Sequence, residues 1–343
     1  MSATAEREKA VNEEGQSASL KHLLGLLANQ QLILLLVLIA MVAFFTIRNP
    51  IFFSVDVFGN ILLDWGPVVL MAIGETYVVI SGGIDLSVGS NVGFSGVIAA
   101  YVMQSMTTHH SGQTITLAVG TLVAAGVGTG VGLVNALLIT KARVVPFIAT
   151  LATLGAAGGM SIVLTGGGPI AGGPAKAISL SVPWFGPFSS PGLVVVVLVI
   201  LAGLFMHKAR FGRYTFAIGS NSFAARTAGI NVRRHLAKVY ALSGFLAGLG
   251  GMFLYLRLGS GAPTSGAGGE LDAIAAVVIG GASLSGGVGR MSGTVLGSLI
   301  LTTVTSGLII IGVAPNWKQV VVAVLIAGAV FVQGLRAWRG EGS

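Results

Sequence analysis

Gln31-Leu32-Ile33-Leu34-Leu35-Leu36-Val37-Leu38-Ile39-Ala40-Met41-Val42-Ala43-Phe44-Phe45-Thr46-Ile47 carries no charged side chain from end to end. A helix rises about 1.5 Å per residue and needs roughly 20 residues to cross a hydrocarbon core of about 30 Å, so this run with its flanks reads as a transmembrane helix. Mostly polar residues precede it and no small-residue cleavage pattern follows it, which marks a retained first span rather than a removed leader.

Outward from this run the same reading repeats. Apolar spans are expected at about 31–48, 61–80, 86–106, 115–140, 145–165, 192–207, 239–258, 292–313 and 318–335. Leu271 to Leu284 is shorter than a full crossing and reads as a re-entrant segment or a short helix shielded by protein. The expected fold is therefore an all-α polytopic membrane helix bundle of nine or ten transmembrane segments. Residues 1–30 are expected to be a disordered cytoplasmic tail, 31–335 the membrane domain with a cytoplasmic loop at 208–238, and 336–343 a second cytoplasmic tail.

Composition agrees. Hydrophobic residues make up 54% of the chain and charged residues 9%, with a mean hydropathy of +0.90, too little charge to solvate the surface of a water-soluble domain. The absence of cysteine removes disulfides, thiol catalysis and cysteine metal sites together. The net charge of +8 does not point to nucleic acid, because the basic residues sit mainly in short loops between apolar runs, where the positive-inside rule places them. Ten crossings with both termini inside put Lys141, Arg143, the loop Lys208 to Lys238, Arg290, Arg336 and Arg339 on the cytoplasmic face. The His109-His110 loop and the Gly-rich segments 166–191 and 259–269 fall on the other.

An internal duplication is expected from an echo: Val78-Val79-Ile80-Ser81-Gly82-Gly83-Ile84-Asp85-Leu86-Ser87 resembles Val277-Val278-Ile279-Gly280-Gly281-Ala282-Ser283-Leu284-Ser285 once one residue is gapped. Charge places both copies on the same face, whereas an inverted repeat would separate them. The 52 glycines suit lipid-embedded helices, which associate by close backbone approach. Gly126 with Gly130, Gly128 with Gly132, Gly89 with Gly93 and Gly244 with Gly248 mark packing faces.

Glu75 and Asp85 lie at or near apolar spans, where an Asp at the centre costs about 2.5 to 3.5 kcal/mol. Together with Ser87 they line a translocation pathway or serve structure. For Asp85 the structural reading is a helix N-cap after two glycines. For Glu75 it is a buried hydrogen bond. Glu270 and Asp272, beside the outer Gly-rich loop, receive a soluble partner or solvate a span end. No convergent nucleophile, acid–base pair or metal set is apparent, so no catalytic residue and no metal site are expected. Leu284-Ser285-Gly286-Gly287 matches the core of an ATPase signature, but the chain has no G-x-x-x-x-G-K-[ST] phosphate loop, so it is not itself an ATPase.

The loop 208–238 carries Lys208, Arg210, Arg213, Arg226, Arg233, Arg234 and Lys238. Within it a short helix is expected: Asn221 or Ser222 starts it, Phe223, Ala224, Ala225 and Arg226 fill it, and Gly229 suits the left-handed position after its end. So short a helix is unstable alone in water, so it is expected to dock on a partner through Phe223 and the alanines.

Ile80 to Gly89, Val145-Pro146-Phe147-Ile148-Ala149-Thr150-Leu151, Ala217-Ile218-Gly219-Ser220-Asn221 with Gly229-Ile230, and Ile279 to Gly287 together resemble the membrane-spanning permease subunits of ATP-binding-cassette importers for monosaccharides such as ribose, xylose, arabinose and galactose. The resemblance covers nearly the whole chain after the tail. It implies a bacterial inner-membrane homodimer, surrounded by lipid, fed by a periplasmic or lipid-anchored sugar-binding protein. A separate ATPase that binds ATP and Mg would drive it, with Asn221 to Gly229 as its coupling helix and Glu270 and Asp272 as docking positions for the binding protein. Branched-chain amino-acid permeases share the architecture and remain an alternative, as does an ion-coupled secondary carrier.

Overall fold

The structure is a computed structural model that describes residues 30–314 and 317–340; the tail expected over 1–30 lies, apart from Gln30, outside them. The described residues form thirteen α-helices: α1 (Gln30–Arg48), α2 (Val55–Ile80), α3 (Val88–Thr108), α4 (Gln113–Thr140), α5 (Pro146–Thr165), α6 (Lys176–Ser181), α7 (Ser190–Lys208), α8 (Arg210–Ser220), α9 (Ser222–Thr227), α10 (Val232–Leu258), α11 (Gly269–Ile279), α12 (Met291–Ile310) and α13 (Trp317–Gly340). No strand occurs among the described residues, and the chain is an all-α polytopic bundle. Seven helices, α1, α2, α4, α5, α7, α10 and α12, are long and apolar enough to cross a bilayer. The helix α3 is more polar because it runs between α4, α5 and α10, where protein rather than lipid meets Asn91 and Ser95. The helix α13 continues to Gly340, five residues past the expected end of its span, because Arg336, Ala337 and Trp338 continue the helix at little cost.

Contacts sort the helix ends into two sets. At one end the Gly287 N–H donates to the Ile80 carbonyl (2.8 Å), Gly219 packs on the same carbonyl, and Gly281 lies against Gln30. This end carries most of the basic residues. At the other end Ile170 bridges Gly261, the Lys176 N–H donates to Gln113 (2.9 Å), the Asn49 side chain donates to the Ile310 carbonyl (3.3 Å), and Gly59 packs on Pro183 and Pro187. The two echo segments thus meet at the basic end.

The short helix shielded by protein that was expected near Leu271 is α11 (Gly269–Ile279), buried at Ala273, Ala275 and Val277, while the segment before it, expected as an outer loop, packs along α3 instead. From the end of α10, Gly261, Pro263 and Gly266 run back along α3 beside Gly96, Gly93 and Gly89 in turn, and α11 then continues to the basic end. Half of this crossing is irregular backbone and half is helix. Such backbone is tolerated at membrane depth only where protein covers it, and here three α3 glycines let it approach.

The glycine faces find partners. Gly128 and Gly132 of α4 press on Gly244 and Tyr240 of α10, and neither Gly128 nor Gly244 leaves room for a Cβ. Asn91 locks the junction by donating to the carbonyls of Gly128 (3.2 Å) and Gly244 (3.5 Å). By contrast, Gly126 and Gly130 face open space. Across α2, the Trp65 indole N–H donates to Ser298 (2.8 Å) and the hydroxyls of Thr76 and Thr294 share a bond of 2.8 Å, fixing α12.

Candidate transport and coupling site

Three groups of residues have functional geometry: a polar knot toward the basic end, two ion pairs toward the opposite end, and the projecting helix α9. Each arises from a different local sequence.

The knot forms where α2 ends at Ile80 and the chain returns beside it. Gly82 adopts φ +84°, a left-handed conformation that glycine takes without strain, and the turn brings the Asp85 N–H to Glu75 Oε1 (3.2 Å). Asp85 lies two residues before Ser87, the N-cap of α3, and so is not the cap itself. Its Oδ1 accepts from the Ser87 N–H (3.0 Å), the Ser87 hydroxyl (2.6 Å) and Asn135 Nδ2 (3.4 Å), while Oδ2 accepts from the Ser243 hydroxyl (2.9 Å). Asn135 in turn donates to Ser87 (2.8 Å) and accepts from Thr153 (2.6 Å). One carboxylate therefore ties the start of α3 to α4, α5 and α10, and all of these side chains are buried. Glu75 is wholly buried as well; its Oε1 takes the Asp85 N–H, and its Oε2 has no protein partner. The three residues expected at the pathway, Glu75, Asp85 and Ser87, are brought together.

Toward the other end, Arg257 of α10 pairs with Asp64 of α2 (2.8 Å), and Lys318 of α13 pairs with Asp272 of α11 (2.7 Å). Asp64, Asp272 and Lys318 line one cavity of about 220 Å³ with Val68, Leu301, Thr302, Thr305 and Ile309. Asp272 and Lys318 also wall a second cavity of about 510 Å³, which follows α13 past Val322 to Ala327. Asp272 is buried and its carboxylate is engaged by Lys318; Glu270 is half-buried against Gly89. Neither is placed as a free surface carboxylate for a docking protein.

Asp64, Arg257 and Lys318 were not singled out by sequence reasoning. Each lies within an expected apolar span, at 61–80, 239–258 and 318–335, and a charge retained inside such a span is the signal that finds them.

The helix α9 follows its sequence closely. The Asn221 side chain accepts from the Ala224 N–H (2.9 Å), and Gly229 takes φ +86° just after the end. Ala225 turns inward, packed with Ile218 and Val232, so the expected apolar contact loses this alanine. Phe223 is 73% exposed, and Ser222, Ala224 and Arg226 share its outward side. Below the helix, Thr215 and His235 share a 2.9 Å bond that joins α8 to α10. The segment Leu284 to Gly287 is a tight turn seated on the end of α2, with Gly286 and Gly287 both at positive φ. Among the described residues no group of three or more His, Asp or Glu is placed to hold a metal ion.

The family described as branched-chain amino acid transport system / permease component matches residues 57–330, and the chain belongs to it. It is 40% identical over 312 residues to the ribose import permease protein RbsC of Escherichia coli strain K12, covering 90% of this chain and 94% of the relative. RbsC of Bacillus subtilis strain 168 is 39% identical over 300 residues, covering 86% and 90%. The galactose/methyl galactoside import permease protein MglC of Escherichia coli strain K12 is 35% identical over 315 residues, covering 89% and 93%. No solved structure matches the chain.

Proposed function

We propose that the chain is the membrane-spanning permease subunit of an ATP-binding-cassette importer and forms the pathway for a monosaccharide, a pentose or hexose. The observation that carries this reading is α9: a capped helix at the basic end, with Phe223 displayed to solvent, in a chain that matches two kinds of sugar import permease over most of its length. A large apolar ring held out from a positively charged surface fits a groove on a soluble partner. In this reading the partner is a separate ATPase that holds ATP and Mg. Its closure pushes on Phe223 and reaches α10 through the small core of Ile218, Ala225 and Val232. A substrate-binding protein delivers the sugar at the opposite end, a second copy of the permease completes the pathway, and both termini lie in the cytoplasm of a bacterial inner membrane. Asp85 and Ser87 hold the bundle rather than touch sugar, since the protein itself fills Asp85's acceptor sites.

The test is uptake into vesicles by the importer reassembled with its ATPase and binding protein. Monosaccharide accumulation that requires ATP is expected; accumulation without the ATPase would refute the reading. The family description favours a second reading, import of a branched-chain amino acid. ATP-driven leucine uptake with no sugar uptake would establish that one instead.

A further inference from the structure

We propose that the cavity of about 220 Å³ lined by Asp64, Asp272 and Lys318 is a contact subsite at which the translocated monosaccharide hydrogen-bonds to both carboxylates and to Lys318. This rests on the monosaccharide-import reading and names the residues that would recognise the solute.

The surroundings of the cavity fit a neutral polyol. Its two carboxylates are each met by a cation, Asp272 by Lys318 within the lining and Asp64 by Arg257 behind it, so an uncharged solute enters without an electrostatic cost. Each carboxylate has about four lone-pair sites and an ammonium has three donors, so one ion-pair contact leaves most of this capacity free for hydroxyl groups. Thr302 and Thr305 add hydroxyls, while Val68, Leu301 and Ile309 offer an apolar wall to the C–H faces of a sugar ring. The Asp272–Lys318 pair is the wall shared with the larger cavity along α13, so a solute leaving the first cavity toward the basic end passes this pair. The contrast with Asp85 is instructive: four protein donors already bond that carboxylate, whereas Asp64 and Asp272 line open volume.

The chain has no cysteine, so a single introduced thiol reports alone. In the reassembled importer in proteoliposomes, Thr305→Cys, and separately Thr302→Cys, would be alkylated with a small methanethiosulfonate with and without ribose or galactose. We expect the transported sugar to slow labelling about threefold, as roughly two-thirds occupancy of a weak site requires, and leucine to leave the rate unchanged. A second measurement separates recognition from mere pairing. Asp272→Asn should raise the uptake KM about tenfold, the cost of one charge-assisted hydrogen bond. The exchange Asp272→Lys with Lys318→Asp should keep assembly with the ATPase yet leave the KM raised. Full recovery of KM by the exchange would make the pair structural and overturn the proposal. So would unprotected thiols in an importer that still accumulates sugar with ATP. Failure to accumulate any monosaccharide would instead remove the import reading itself, and the subsite with it.

Discussion

The two charged regions of this bundle solve the same problem in opposite ways. Around Asp85 four donors from Ser87, Asn135 and Ser243 meet the carboxylate and no charge of opposite sign pairs it, while Glu75 Oε2 beside it has no protein partner. Around Asp272 and Asp64 the charges are met by Lys318 and Arg257, with open volume lined by Asp64, Asp272 and Lys318. A buried carboxylate with four donors is an anchor, because no motion of α3, α4 or α10 leaves it satisfied. An ion pair beside a cavity keeps donors and acceptors in reserve. A transporter needs both, a fixed hub and a surface that exchanges partners.

The largest effect should come from breaking the hub. Asp85→Leu strands the Ser87, Asn135 and Ser243 donors in a dry interior and should destabilise the bundle by about 3–5 kcal/mol, visible as a lowered thermal midpoint in detergent by far-UV circular dichroism. An unchanged midpoint with uptake abolished would move Asp85 from anchor to pathway and dissolve the comparison. Next, Gly132→Leu forces α4 away from the Tyr240 carbonyl of α10, and overpacking of this kind costs about 1–3 kcal/mol. The same change at Gly126, which faces open space, should stay within about 0.5 kcal/mol. Equal losses at the two glycines would show that packing at this seam does not support the hub. Smaller again is Asn221→Ala: losing the cap of α9 should cost about 1 kcal/mol locally. It should weaken co-purification of the ATPase while the global midpoint stays put; a matching fall of the midpoint would place α9 in the core rather than at the partner.

How much of this was legible in the sequence follows from the range of each interaction. The spans could be read because an uninterrupted apolar run is its own signal, and α9 because its cap and its terminal glycine lie within nine residues, Asn221 to Gly229. The glycine faces of α4 and α10 were legible as faces, but not as partners, since nothing local says that Gly128 meets Gly244. The short shielded helix α11 was legible, but the segment before it was expected as an outer loop because Gly259 to Gly268 has the composition of one; only the α3 glycines opposite show that it packs into the bundle. For the ion pairs the charges inside expected spans were visible but their partners were not, since Asp64 and Arg257 lie far apart in the chain.

The smallest stability effect should fall on the open region. Asp64 is 43% exposed and its partner Arg257 23%, and a pair this accessible to solvent contributes about 0–1 kcal/mol, so Asp64→Asn should shift the thermal midpoint little. Asparagine keeps the size of the side chain, so what is lost is the charge and part of its accepting capacity. If the open region exists to meet solute, the same variant should raise the uptake KM with the midpoint intact, a separation that Asp85→Leu cannot show. A drop of several kcal/mol at Asp64 would mean that the pair, like Asp85, holds helices together, and the two regions would then be one kind of structure.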